Sequence, residues 1–271
     1  MINKFRFVLV FLAVLTVTSC SSDKDRAPGE LTPQKPVEEM YNKAQRSLKD
    51  EDYAVASKNF DEVEQNYPYS DWAKRAQLMS AYAYYKNLKY DEAVTALDRF
   101  IQLHPGDESV DYAYYMKALC YYERISDVGR DQKMTELALD SLKQIVSRFP
   151  DSKYARDAKL KMDLAIDHIA GKHMEVGRYY LERKQYQSAI NRFEKVVEQY
   201  QTTTHVPEAL HRLVECYLSL GISAEAQKDA AILGTNYPQS QWYKDTYKLF
   251  TAMPEKEQDK SFINKTFGKL F

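Results

Sequence analysis

Side chains capable of chemistry are sparse in this 271-residue chain, and they are not spaced for it. The five histidines are His104, His168, His173, His205 and His211, and none stands in an HExxH pattern. No Cys/His pair has the spacing of a zinc site. His168 and His173 are five residues apart, the wrong interval for one face of a helix. No GxSxG elbow, Walker A loop or dinucleotide fingerprint is present. Three cysteines cannot make a disulfide framework. Cys120 and Cys216 hold equivalent places in an internal repeat, as small core residues would. Acid pairs such as Asp61-Glu62 and Asp91-Glu92 fall between apolar positions, where carboxylates ordinarily solvate a helix. No catalytic residue, metal ligand or cofactor is expected, and the chain is not expected to be an enzyme.

Tyrosine is the outlier, with 22 Tyr against 2 Trp and 11 Phe. The residues cluster as Tyr82, Tyr84 and Tyr85, then Tyr112, Tyr114 and Tyr115, then Tyr121 and Tyr122, then Tyr179 and Tyr180. Adjacent aromatics on a helix point to different faces. Either one of each set packs inside while the rest close gaps between neighbours, or some line a groove. In a groove, rigid amphipathic rings supply contact area at little entropic cost. Lys+Arg number 38 against 39 Asp+Glu, a balance that argues against a nucleic-acid partner.

The elements that position these residues begin after a leader. Lys4 and Arg6 precede an apolar run from Phe7 to Leu15, which is too short to span a bilayer but suits a secretory signal. The run ends in Val17-Thr18-Ser19-Cys20, which resembles a bacterial lipobox in which Cys20 becomes the lipidated first residue. An ordinary signal peptide cut near Ser19 is the alternative. Residues 1–19 are thus expected to be a lipoprotein signal peptide, and 20–36 the lipidated Cys and a flexible tether. Removing the leader takes two positive charges and leaves 36 basic against 39 acidic residues. Anchoring would then rest on acyl chains, at roughly 0.8 kcal/mol per buried methylene, and not on a polybasic patch. Ser21, where an Asp would retain an inner-membrane lipoprotein, favours the outer membrane by the same resemblance. The tether is polar and contains Pro28, Pro33 and Pro36. It spans roughly 20–25 Å as a coil.

From Val37 the apolar spacing is helical and repeats. Pro68, Pro105, Pro150 and Pro238 are anchors, with Gln201 in the same slot. Twelve residues before them stand Ala56, Ala93, Ala138, Ala189 and Ala226, and eight before stand Phe60, Leu97, Leu142, Phe193 and Ala230. Five before stand Val63, Phe100, Ile145, Val196 and Leu233, and the residue just before is Tyr67, His104, Phe149, Tyr200 or Tyr237. Eight after come Ala76, Ala113, Ala158 and Ala209, with Thr246 breaking the column. The Ala admits a close second helix, and the larger residues lie one and two turns on along the same face. Pro ends the helix, and Ser70, Asp107, Ser152, Thr203 and Ser240 are suited to cap the next one.

This pattern resembles the tetratricopeptide repeat. The expected fold is all-α, an α-solenoid of about five tetratricopeptide-like helix pairs over residues 37–255, with an extra helix between repeats three and four and a C-terminal tail at 256–271. Anchors 37, 45, 51 and 37 residues apart place one insertion around Ile125 to Asp131 and another before copy four. Lys153 to Lys184 reads as one long helix or as two broken near Gly171 or Gly177.

Lipobox, tether and repeats together resemble one family, the BamD lipoproteins of the β-barrel assembly machinery. The stretches that carry it are Tyr67-Pro68-Tyr69-Ser70, Ala83-Tyr84-Tyr85-Lys86, Asp98-Arg99-Phe100-Ile101-Gln102-Leu103-His104-Pro105 and Asp111-Tyr112-Ala113-Tyr114-Tyr115-Met116. Arg148-Phe149-Pro150-Asp151-Ser152-Lys153-Tyr154, Val176-Gly177-Arg178-Tyr179-Tyr180 and Asn191-Arg192-Phe193-Glu194 extend it over nearly the whole mature chain. The resemblance implies a non-enzymatic role in assembling outer-membrane β-barrels, at the periplasmic face of the outer membrane. The first repeats would receive unfolded precursor, and the last would dock on the barrel subunit BamA beside further subunits of the machinery. Arg192 occupies the family's position for a charged contact with BamA, and Tyr67 is a candidate for substrate contact. Read from the repeat alone, Tyr67 is equally a packing residue and Arg192 equally a solvated one. The competing function is a periplasmic repeat lipoprotein that coordinates cell-wall synthesis with envelope constriction.

Overall fold

The structure, a computed structural model, describes residues 36–252 and 259–268. The expected signal peptide, Cys20 and the tether to residue 35 lie outside the described residues. Twelve helices and no strand occur among those described. Five antiparallel pairs follow in order: α1 (Val37–Lys49) with α2 (Tyr53–Asn66), α3 (Asp71–Lys86) with α4 (Tyr90–Leu103), α5 (Val110–Tyr122) with α6 (Lys133–Arg148), α7 (Ala155–Glu182) with α8 (Tyr186–Gln199), and α9 (Val206–Ser219) with α10 (Ser223–Asn236). Helices α11 (Gln241–Thr251) and α12 (Lys260–Phe267) close the stack. This is the α-solenoid of helix pairs that the repeat predicts.

The repeat columns are the core. Every Ala twelve before an anchor, every residue eight and five before, and every residue eight after is exposed to 1% or less. Thr246, the break in the last column, is as buried as the alanines it replaces. Its hydroxyl lies 2.8 Å from His211 Nδ1 and donates to the Trp242 carbonyl, so the polar atom is satisfied inside the helix packing.

Each second helix ends in one repeated turn. Tyr67, His104, Phe149, Tyr200 and Tyr237 leave helical geometry with φ between −125 and −135°. Each carbonyl accepts the N–H three residues on, at 3.0–3.1 Å. Gln201 supports the same turn as the prolines, so proline alone does not dictate it. Of the expected caps, Ser70 and Ser240 accept the N–H of Ala73 and Tyr243 at 3.1 and 3.2 Å. Asp107, Ser152 and Thr203 do not cap, because their helices start two to three residues later. They brace the turn instead, through Ser109 N, Tyr154 N and the Tyr200 carbonyl.

The open question at Lys153–Lys184 resolves as one unbroken helix. The extra helical segment lies between pairs three and four and runs directly into the first helix of pair four, giving 28 residues, about 42 Å long. Gly171 and Gly177 do not break it. They are places of close approach, where an added Cβ would meet the His205 ring at 3.2 Å and the Phe193 ring at 2.4 Å. First helices touch across pairs, α1 with α3, α3 with α5 and α9 with α11, while among second helices only α10 makes such a contact, with α12. The layer of first helices is therefore the inner one. The tail holds a short cap, in which α12 buries Phe267 against Tyr243 and Phe250.

Candidate functional site

The tyrosine clusters sit where the inner layer passes from pair two to α7. Tyr82 and Tyr85 on α3, Tyr112 and Tyr115 on α5, and Tyr154 just before α7 are all half-buried. Tyr154 stacks on Tyr115 with ring centroids 4.9 Å apart and lies 5.3 Å from Tyr112. At the first pair, Tyr41 packs 4.9 Å from Trp72. Four hydroxyls tie one pair to the next. Tyr84 donates to Asp61 at 2.7 Å, Tyr85 to Glu123 at 3.2 Å, Tyr217 to Glu194 at 2.9 Å, and Tyr115 to Asp157. Burial and the neighbouring carboxylate push the Tyr84 phenol up to about 12, so it remains a neutral donor at ordinary pH. The clusters thus mainly close gaps between neighbours. The hydroxyls of Tyr82, Tyr112 and Tyr154 make no hydrogen bond among the described residues, and these rings form the part of the inner face that retains donors for a ligand.

Asp61 and Asp91 are not merely solvating. Asp61 also accepts from Ser80 at 2.5 Å, and Asp91 pairs with Arg124 at 2.6 Å. With Asp98 to Lys117 at 2.6 Å, and Glu194 to Tyr217, the residue following the large core position repeatedly fastens a second helix to the next first helix. Cys120 and Cys216 are fully buried, and burial pushes both thiols up to about 12, the inert state expected of core cysteines.

Tyr67 terminates α2, half-buried like its four equivalents, and its carbonyl accepts from both the N–H and the hydroxyl of Ser70. Two residues on, Tyr69 is 101% exposed. The corresponding places in the other turns hold Gly106, Asp151, Thr202 and Gln239. An aromatic ring in a column of small or polar turn residues was the signal that could have singled out Tyr69.

Arg192 lies on α8, three pairs from Tyr67, so the two candidates belong to separate surfaces. It is half-buried at the edge of a polar depression of about 560 Å³ that also includes Tyr180, Asn191, Lys195, Glu194 and Glu198. No carboxylate pairs with Arg192 among the described residues, whereas the adjacent Glu194 is engaged by Tyr217. Burial, then the charges of Lys195 and Arg192, hold His173 below its usual value. The face thus mixes two cations with two carboxylates, and Arg192 is its cation without a carboxylate partner among the described residues.

Among the described residues no group of three or more His, Cys, Asp or Glu could hold a metal ion. Also among them, no helix is long and apolar enough to cross a membrane.

A family model described as an outer membrane lipoprotein, YfiO, matches residues 33–233. The chain is 45% identical over 242 residues to the outer membrane protein assembly factor BamD of Caulobacter vibrioides, covering 89% of this chain and 79% of that one. It is 44% identical over 235 residues to the factor of the same name from Rickettsia prowazekii, covering 87% and 92%. The factor from Neisseria meningitidis serogroup B is 34% identical over 248 residues, covering 86% and 92%. Among solved structures the chain is similar to the P58(IPK) TPR domain, at 15% identity and a TM-score of 0.39, covering 86% of this chain and 64% of that one. With a family model matched over residues 33–233, the chain belongs to the YfiO outer membrane lipoprotein family, and its relatives at 44–45% identity are named BamD assembly factors.

Proposed function

We propose that this protein is a non-catalytic scaffold of outer-membrane β-barrel assembly, held at the periplasmic face of the outer membrane by acyl chains on Cys20. Its first three pairs receive unfolded precursor, and its last pairs dock on BamA and the associated subunits. The observation that carries the reading is the half-open tyrosine strip on the inner layer of a helical stack that has no metal cluster among its described residues. An unfolded barrel strand offers alternating apolar and polar side chains, and amphipathic rings can grip it without reading one sequence. The grip is weak by design, since precursor must be passed on. Tyr69, in the exposed turn beside Tyr67, extends this contact surface at the stack's first end. Tyr67 contributes through the turn it builds and the edge of its ring. Arg192 makes the charged contact with BamA, supported by its lack of an internal carboxylate partner.

The test is copurification of the Cys20-anchored protein from mild detergent. BamA should dominate the catch, and Arg192→Glu should lose it while helical content and Tm are unchanged. Capture of a cell-wall synthase in place of BamA would overturn the reading. Peptides copying a barrel carboxy-terminus should bind the full chain in competition with precursor. Tyr69→Ala should weaken that binding at unchanged Tm. Cys20→Ser should release the protein from the membrane fraction.

A further inference from the structure

We infer that the extra segment of α7 and the insertion loop at 123–132 form a docking groove for an amphipathic, cationic helix of a partner protein. This surface adjoins the tyrosine strip at Glu123, which accepts from Tyr85, lies apart from the Arg192 face, and does not depend on the function assigned to either. In every other pair the chain turns back after the first helix, and an antiparallel second helix covers it. Helix α7 instead runs straight on, so only its carboxy-terminal half receives such a partner, α8. Its amino-terminal half rests on α6 through Ala158, Ala165 and Ile169. The opposite side, where a second helix would lie, has none.

The insertion loop walls that side without filling it. His168 Nε2 donates to the Ser126 carbonyl at 2.8 Å, and Lys172 donates to the Gly129 carbonyl at 2.9 Å. Between loop and helix remains a cavity of about 730 Å³. Leu164 lines it, and Leu160 stands one turn earlier on the same face. These leucines are 60% and 59% exposed, a pair that a fully solvated helix has no reason to carry. The open stripe continues from Leu164 to Asp167; one turn on, Gly171 is buried under His205 and Val128. From Leu160 to Asp167 it is about 10 Å long, two turns of a helix.

Charge selects the occupant. Glu123, Asp127, Asp167 and Glu175 line the cavity. Glu175 lies 3.5 Å from Lys172, Asp167 lies 3.6 Å from His205, and Arg178 is held by Glu208 at 3.1 Å. Glu123 and Asp127 are thus the lining carboxylates with no ion-pair partner among the described residues. Two apolar side chains one turn apart, followed by a carboxylate-rich end, call for a helix with leucines one turn apart followed by Lys or Arg. Helix-in-groove docking is read through such anchors at turn spacing.

The probe is a designed helical peptide with leucines four apart and then lysines, titrated against the full chain. A matched peptide with glutamate for lysine is the control. The lysine peptide should bind with salt-sensitive affinity, and the glutamate peptide should not. Leu160→Glu with Leu164→Glu should weaken the lysine peptide about tenfold or more. That loss would come despite added negative charge, so it would report the apolar contact. Asp127→Asn, which can keep the bond accepted from Gly129 N, should reduce the salt dependence. Both leucines are exposed, so thermal melting will show the variants folded. Equal binding of the two peptides, or unchanged binding by the double variant, overturns the proposal. So does self-association of the parent chain abolished by the same substitutions, which would make a second copy the occupant. In cells, a photo-crosslinker at position 164 should join a peptide with this leucine and lysine pattern. A crosslink to lipid or to another copy of the chain counts against it.

Discussion

At the scale of single residues, the fold depends on a few contacts that have no room to adjust. Phe193 is fully buried, with its ring against the bare Cα of Gly177. Gly177→Ala should therefore destabilise the protein by about 1–3 kcal/mol through overpacking, although alanine is the better helix former. Gly106→Ala, which has nothing within 4 Å, is the control, and thermal melting compares the two. Asp229 is the counterpart among polar groups. Burial pushes its carboxyl from 3.8 up to about 6. A raised value in the folded state means that the folded protein holds this proton more tightly. Its contribution is thus full below pH 3.8 and is lost as pH rises to about 6. Asp229→Asn should flatten that fall and raise the Tm at pH 7.5 relative to the parent. A parent and variant with parallel Tm profiles from pH 4 to 7 would refute it. The residues that carry the columns could be read from spacing because burial repeats with the helical period. Tyr69 could not, since a fully exposed ring makes no periodic contact and stands out only by comparison between turns.

At the scale of elements, the turns inside each pair carry a demand that composition conceals. Glu51, Leu88 and Lys184 have φ near +60°, as does Gly221 at +73°. Only the last is the residue suited to left-handed backbone. For an L-residue this geometry costs roughly 1–2 kcal/mol, partly offset by the greater entropy glycine loses on folding. Leu88 is also 71% exposed, so it contributes little packing in return. Leu88→Gly should raise stability by about 0.5–1 kcal/mol, read as a higher urea midpoint with unchanged slope. A lower midpoint would mean that the leucine makes contacts beyond those seen here. The helices themselves were legible, because Ala, large apolar and aromatic residues recur in register. The continuity of α7 was not. Gly171 and Gly177 suit a break as well as a close approach, and only the positions of His205 and Phe193 decide between them.

At the scale of the whole molecule, a stack of pairs is held by neighbours alone, so stability need not be uniform along it. The described core is unequal. One continuous cluster runs from Ala170 through the last pairs to Phe267, while the first three pairs are held by smaller, separate clusters around Phe60, Leu97 and Leu142. Polar bonds between pairs, such as Tyr84 to Asp61 and Lys117 to Asp98, join these smaller units without adding apolar burial. Amide hydrogen exchange should therefore show α1 to α4 opening at lower free energy than α8 to α10. A uniform protection factor across all pairs would show that the stack unfolds as one cooperative unit. The order has a consequence for the proposed division of labour. The end that grips a changing series of unfolded chains would be the softer one, able to adjust its half-buried rings. The end that docks on a fixed partner would be the rigid one. Barrel-derived peptide should accordingly raise protection chiefly in α3 and α5, leaving α9 and α10 as they were. Protection gained equally at both ends would instead place the peptide along the entire inner layer.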